Sequence, residues 1–383
     1  MKKIIVMLMI FLIIPLNVQA YTENPLTDSK ENMKVEQLYD YMTNVKNEYE
    51  ILNDIDIKSY VKQYIKSGDG KFSTKKFIKA LLIYAFKEVA ACGKLMSMII
   101  IICIICALIK NLENAFNNGS ISNIAYFACY ALLIILISKN FYMGVSTVKE
   151  AIKSMTDFMG ALIPVLLMLL ATVGGFTQAA VLDPLILGAI NVSARVFNDL
   201  IIPIISMTFV IQFVNNVSED YKIDKLSKLL NQIVLWTQGI VMTIFIGIIT
   251  IRGINTSTID AVAEKTVKFA VDNFIPIVGK SLSDAISTVA GYSLLLKNAL
   301  SSIGLVILII MIIFPLIKML MMALIYKATS ALIEPISDKR LVQCISSVGD
   351  SLILITSCLI CVSVMFFIMI AIVASAGKMV IAG

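Results

Sequence analysis

Apolar runs long enough to cross a hydrocarbon layer follow one another along most of this chain, with short polar stretches between them. Runs over 95–109, 121–138, 158–182, 200–217, 229–251, 298–317 and 351–377 read as crossings, since roughly 20 apolar helical residues match a hydrocarbon core of about 30 Å. The segments 184–198, 273–296 and 319–335 are each short or interrupted by charge, so the pattern predicts about seven to ten transmembrane or re-entrant helices within 94–383. The expected fold class is all-α, a polytopic helical membrane protein.

Ahead of these runs lies one polar block, residues 21–93. Val35, Leu38, Met42, Val45, Tyr49 and Leu52 recur at three- and four-residue steps, as on an amphipathic helix, and Ile57, Tyr60, Val61, Tyr64 and Ile65 repeat the pattern more briefly. Ser67-Gly68-Asp69-Gly70 interrupts it, and Ser73 or Thr74 can cap a helix that runs on towards the first crossing. The block carries too little apolar surface for a core of its own. It is expected to be a short extracytoplasmic helical segment that packs on the membrane region or on a partner.

Polar groups built into the apolar runs are the candidate functional features. From Asp157 to Val217 the chain passes Pro164, Gly174-Gly175 and Asp183-Pro184, then Asn191, Arg195, Asn198, Asp199 and Pro203. Asn191, Arg195 and Asp199 fall at i, i+4, i+8, so on a helix they form one polar stripe. Two readings stand side by side. Arg195 and Asp199 mark an exposed connection at the headgroups, or the Gly174-Gly175 break begins a discontinuous element whose stripe lines a wet cavity or meets another subunit. Lys280 and Asp284, four residues apart after Pro276 and Gly279, repeat the geometry, with an interfacial helix as the alternative. Between crossings, Ser257 to Asp260 has capping-box spacing, and the equal Pro164-to-Pro203 and Pro276-to-Pro315 separations leave an internal repeat open.

Composition agrees with the pattern. The chain is 58% hydrophobic and 15% charged, with mean hydropathy +0.89. Its net charge of +6 is spread through loops, which leaves nucleic-acid binding without a basic tract. Lys2-Lys3, the apolar stretch Ile4–Leu16 and Val18-Gln19-Ala20 read as a signal peptide over 1–20 with cleavage before Tyr21, an uncleaved first span being the alternative. Five of the seven cysteines lie within apolar runs, and Cys103-Ile-Ile-Cys106 and Cys358-Leu-Ile-Cys361 are read as helix-packing positions, since a thiolate is disfavoured in lipid. With no histidine, the usual general base and metal ligand are missing. Gly279-Lys280-Ser281 lacks the first glycine of a phosphate loop, Phe274 standing in its place. The residues therefore argue for a non-enzymatic protein without a cofactor.

Several motifs carry a resemblance. They are Trp236-Thr237-Gln238-Gly239, Arg252-Gly253, Asp260, Lys265 to Phe269, Phe274 to Ala285, Leu296-Lys297-Asn298, Pro315 with Lys318, Tyr326-Lys327 and Glu334-Pro335. Together they are similar to the stage III sporulation protein AE family of endospore-forming bacteria, over nearly the whole chain, although Gly279-Lys280 stands where the family pattern calls for Gly-Gly. The resemblance implies a membrane component of a channel or secretion-like complex, its export gate in one reading, needed for late forespore gene expression. It implies placement in the mother-cell-derived membrane around the forespore. The implied partners are other proteins of the stage III sporulation A operon, among them a secretion-type ATPase and ring-forming proteins, and stage II sporulation protein Q across the intermembrane space. A homo-oligomer is a further candidate assembly. The alternative function is a self-contained permease for a small solute.

Overall fold

The computed structural model describes residues 36–40, 42–43, 61, 74–116, 119–173, 175–217, 223–248 and 279–376, with no strand among them. The expected signal peptide, most of the polar leader, the Ser257 cap and the Pro276 end of the candidate repeat lie outside the described residues. Of the leader, 36–40 and 42–43 are helical, and Leu38, Met42 and Val61, three of the expected apolar positions, are buried.

Seven helices follow among the described residues: α1 (Thr74–Phe116), α2 (Gly119–Thr172), α3 (Phe176–Arg195), α4 (Ile202–Val217), α5 (Asp224–Ile248), α6 (Gly279–Ile333) and α7 (Lys339–Ser375). A π-helical segment, Val196–Ile201, joins α3 to α4 without a break. Six stretches among the described residues are long and apolar enough to cross a membrane, the third of them running from α3 through the π segment into α4.

The division of the chain differs from the pattern of separate crossings. The runs 121–138 and 158–172 belong to one helix, because the Lys, Glu, Ser and Thr residues between them are compatible with helix and no proline intervenes. The 54 residues of α2 make a rod of about 80 Å, more than twice a hydrocarbon core. Likewise 298–317 and 319–335 fall largely within the 55 residues of α6, which continues through Pro315. The expected crossing 158–182 is instead cut at 173–175. There the Val173 and Gly175 amides both donate to the Leu170 carbonyl, at 3.2 and 3.1 Å, and α3 packs back along α2. A Cβ on Gly175 would stand 2.9 Å from Leu170 Cδ1 and 3.1 Å from the Leu170 carbonyl oxygen, so this turn needs glycine for space.

At the centre are α2, α6 and α7. The α6–α7 hairpin closes over 334–338, where the Asp338 side chain accepts from the Arg340 amide at 3.2 Å as N-cap. Small residues let the rods approach. A Cβ on Gly304 of α6 would lie 2.7 Å from Leu162 Cδ2 of α2, and one on Gly349 of α7 would lie 3.0 Å from Lys327 Cγ of α6. Helix α1 packs on α2 and α6, with Tyr84 edge-on to Phe314 at 4.7 Å, and α4 stacks Phe209 on Phe141 of α2 at 3.6 Å.

Candidate functional site

The expected stripe exists. Asn191, Arg195 and Asp199 are all exposed, while Asn198, between them, is half-buried with its Oδ1 enclosed and without a hydrogen-bond partner. The Asn191 side-chain amide donates back to the Leu187 carbonyl at 2.8 Å. Helix geometry changes here for a local reason: Pro203 has no N–H, so the Asp199 carbonyl loses the donor it would meet in an α-helix. The wider π turn forms instead, with the Ile202 amide donating to the Phe197 carbonyl, and Phe197 and Ile201 face inward while Asp199 stays out.

A second stripe, absent from the sequence reading, runs on α2. Ser146, Glu150, Lys153 and Asp157 are spaced i, i+4, i+7, i+11; Glu150, Lys153 and Asp157 are exposed, and the Ser146 hydroxyl donates to Glu150 Oε1 at 2.7 Å. Counting outward from the turn at 173–175 brings Asp157 level with Asn191, Lys153 with Arg195, and Glu150 with Asp199. The Phe141–Phe209 stack holds that register further along, displaced by the residues the π segment adds. No ion pair among the described residues joins one stripe to the other. The two stripes therefore present charge at the same height on neighbouring antiparallel rods.

That height is matched on α7 by an uncharged stretch. Gly144 lies beside Leu352 of α7, and the Ser363 hydroxyl of α7 reaches Met155 Sδ at 3.8 Å, so Glu150 to Asp157 stand level with the uncharged half of α7. Charged side chains at membrane depth are costly unless water or protein surrounds them. Lys280 and Asp284 are placed differently: they lie in the first turns of α6, and their side chains fall outside the described residues.

Three polar side chains tie the helices together. Lys297 of α6, fully buried at 0% exposure, donates to the carbonyls of Val373 and Ala374 at 3.2 Å each and to that of Ala376, so its ammonium sits on the C-terminal end of α7. Charge and helix polarity agree, because the free carbonyls of a helix end carry partial negative charge. Gln238 of α5, also buried, donates to Cys358 Sγ at 3.1 Å and accepts from the Ser357 hydroxyl at 3.0 Å on α7. Nearer the α6–α7 turn, Gln212 of α4 accepts from Ser351 at 3.3 Å and donates to Ser227 of α5 at 3.2 Å. Cys358 thus serves a helix contact, and Cys103 and Cys106 are buried on α1. Among the described residues no cluster of three histidine, cysteine or acidic side chains is placed to hold a metal.

Lipid-facing apolar rods, close glycine contacts and buried polar anchors between helices define a multi-pass helical membrane protein. The chain belongs to the family described as Stage III sporulation protein AE, whose pattern matches residues 55–377. It is 35% identical over 348 residues to the Stage III sporulation protein AE of Bacillus subtilis (strain 168), covering 91% of this chain and 87% of that protein. No solved structure matches. The role is accordingly in sporulation, in a family of sporulation proteins and not of known enzymes. Lys297 and Gln238 both lie in motifs that carry the resemblance, and Lys297 is the one charged residue between Asp284 and Lys318, a signal the stripe spacing alone does not report.

Proposed function

We propose that this protein is a non-enzymatic membrane component of the mother cell-to-forespore channel or secretion-like complex needed for late forespore gene expression, and that it contributes to the complex's export gate. The observation that carries this reading is the pair of level charged stripes, Glu150–Lys153–Asp157 and Asn191–Arg195–Asp199, exposed at a height where lipid would be a poor solvent for them. In an assembled complex, water of a conduit or a neighbouring subunit supplies the missing solvation. Energy for movement would come from a secretion-type ATPase partner, with ring-forming proteins of the same operon and stage II sporulation protein Q extending the path. The membrane in question is the mother-cell-derived one around the forespore.

The test is labelling in sporulating cells with a membrane-impermeant maleimide. A cysteine at Asn191 is expected to react, whereas cysteines at lipid-facing Ile233 and Leu235 of α5 stay protected. In parallel, Arg195→Ala and Asp199→Ala are expected to lower spore yield at normal protein abundance. Protection of Asn191 together with normal spore yield would remove the conduit reading. Solute uptake by the purified protein alone in liposomes would replace it with a permease.

A further inference from the structure

We infer that the charged faces of the α2–α3 hairpin join copies of this chain head to tail, the α3 stripe of one copy against the α2 stripe of the next. This rests on the reading above and specifies what stands beside the stripes. Three observations lead to it. First, the patch mixes signs, with Lys153 and Arg195 among Glu150, Asp157 and Asp199, so it matches itself and not a partner of one charge. Second, the hairpin register sets the heights. Against a neighbour at the same depth in the membrane, Arg195 lies diagonally between Glu150 and Asp157 of the next copy, each about one helical turn away. Lys153 of that copy lies one turn from Asp199. Arginine and lysine side chains reach that far. Third, the stripes make no ion pair with each other inside one chain, as expected if each serves a different neighbour. Val192 and Leu200, exposed beside Arg195 and Asp199, supply apolar contact around the charges.

A contact between two different faces repeats from copy to copy and closes into a ring when the rotation allows. Such a ring gathers the hairpins of several copies around one axis, which a single hairpin cannot do. Charges shared between copies are then satisfied by protein, and those turned inward meet water.

The test uses full-length protein with two different tags, co-expressed in one membrane and solubilised in mild detergent. Wild-type copies are expected to co-purify across tags. Arg195→Asp in both tagged copies, or Asp157→Arg in both, is expected to lower co-purification at least about tenfold. Arg195→Asp in one copy with Asp157→Arg in the other is expected to restore it, because the exchanged charges then meet across the contact. Restoration by a mixed pair also excludes simple misfolding of either variant. Wild-type copies that do not co-purify, variants without loss, or a loss the mixed pair does not repair would each overturn the inference. Maleimide labelling at Asn191 reads the conduit independently: labelling without self-association sinks only the head-to-tail contact, and association with full protection and normal spore yield sinks the conduit.

Discussion

Replacing Lys297 by methionine keeps most of the stem volume and removes the ammonium that holds the end of α7. Three carbonyls, those of Val373, Ala374 and Ala376, lose their donor in a site with no exposure to solvent. A hydrogen bond from a charged group contributes about 1.5–3 kcal/mol, and part of three such bonds is offset by the cost of burying the charge. The net loss is on the order of 3–5 kcal/mol. For a chain of this size that corresponds to a fall in Tm of about 4–6 °C in detergent. The accompanying local signature is faster amide exchange at Ser375 and Ala376, since the Ala376 amide still bonds the Ile372 carbonyl at 3.0 Å but the carbonyls of this last turn are no longer tied to α6. Lys297→Ala should fall further, because it also leaves a cavity along the stem. A methionine variant that melts within about 1 °C of the wild type, with unchanged exchange at 375–376, would refute the anchoring role.

Other expectations follow from the same contacts. Gln238→Leu should loosen α5 from α7 by about 1–2 kcal/mol, seen as easier proteolysis of α5 in detergent, while Thr237→Leu, on the half-exposed neighbouring position, should not. Gly304→Val should force α2 and α6 apart and cost about 1–3 kcal/mol in thermal unfolding, with partial recovery when combined with Leu162→Ala. The Lys327–Asp350 pair, 2.7 Å apart, is 38% and 55% exposed, so Asp350→Asn should cost less than about 1 kcal/mol and shift Tm little.

Hydrophobic periodicity alone located the membrane rods but not where they begin and end. Run length counts uncharged residues, and a helix is under no obligation to stop at a charge: Glu150, Lys153 and Asp157 stay helical and turn outward, so two expected crossings become one rod. The reverse error arose at 173–175, where no polar residue marks a reversal and two adjacent glycines carry the signal. The α3 stripe was legible because its i, i+4, i+8 spacing survives the π segment. The α2 stripe obeys the same arithmetic, yet its charges read as a loop while the helix around them was unknown. Lys297 was visible as a lone charge, but its partners lie more than seventy residues later, at a helix end that no local pattern announces.

The fastening of α6 to α7 has a mechanical consequence. The close approach of Gly349 to Lys327 clasps the hairpin near its bend, and Lys297 clasps it at the far tip, so neither helix can slide past the other without breaking a clasp. The pair is a strut. Beside it the rod running from Gly175 to Val217 has a softened joint where Pro203 interrupts the backbone ladder. Bending of the rod is expected at that joint, where it would move the charged residues of α3 against a fixed α6–α7 pair.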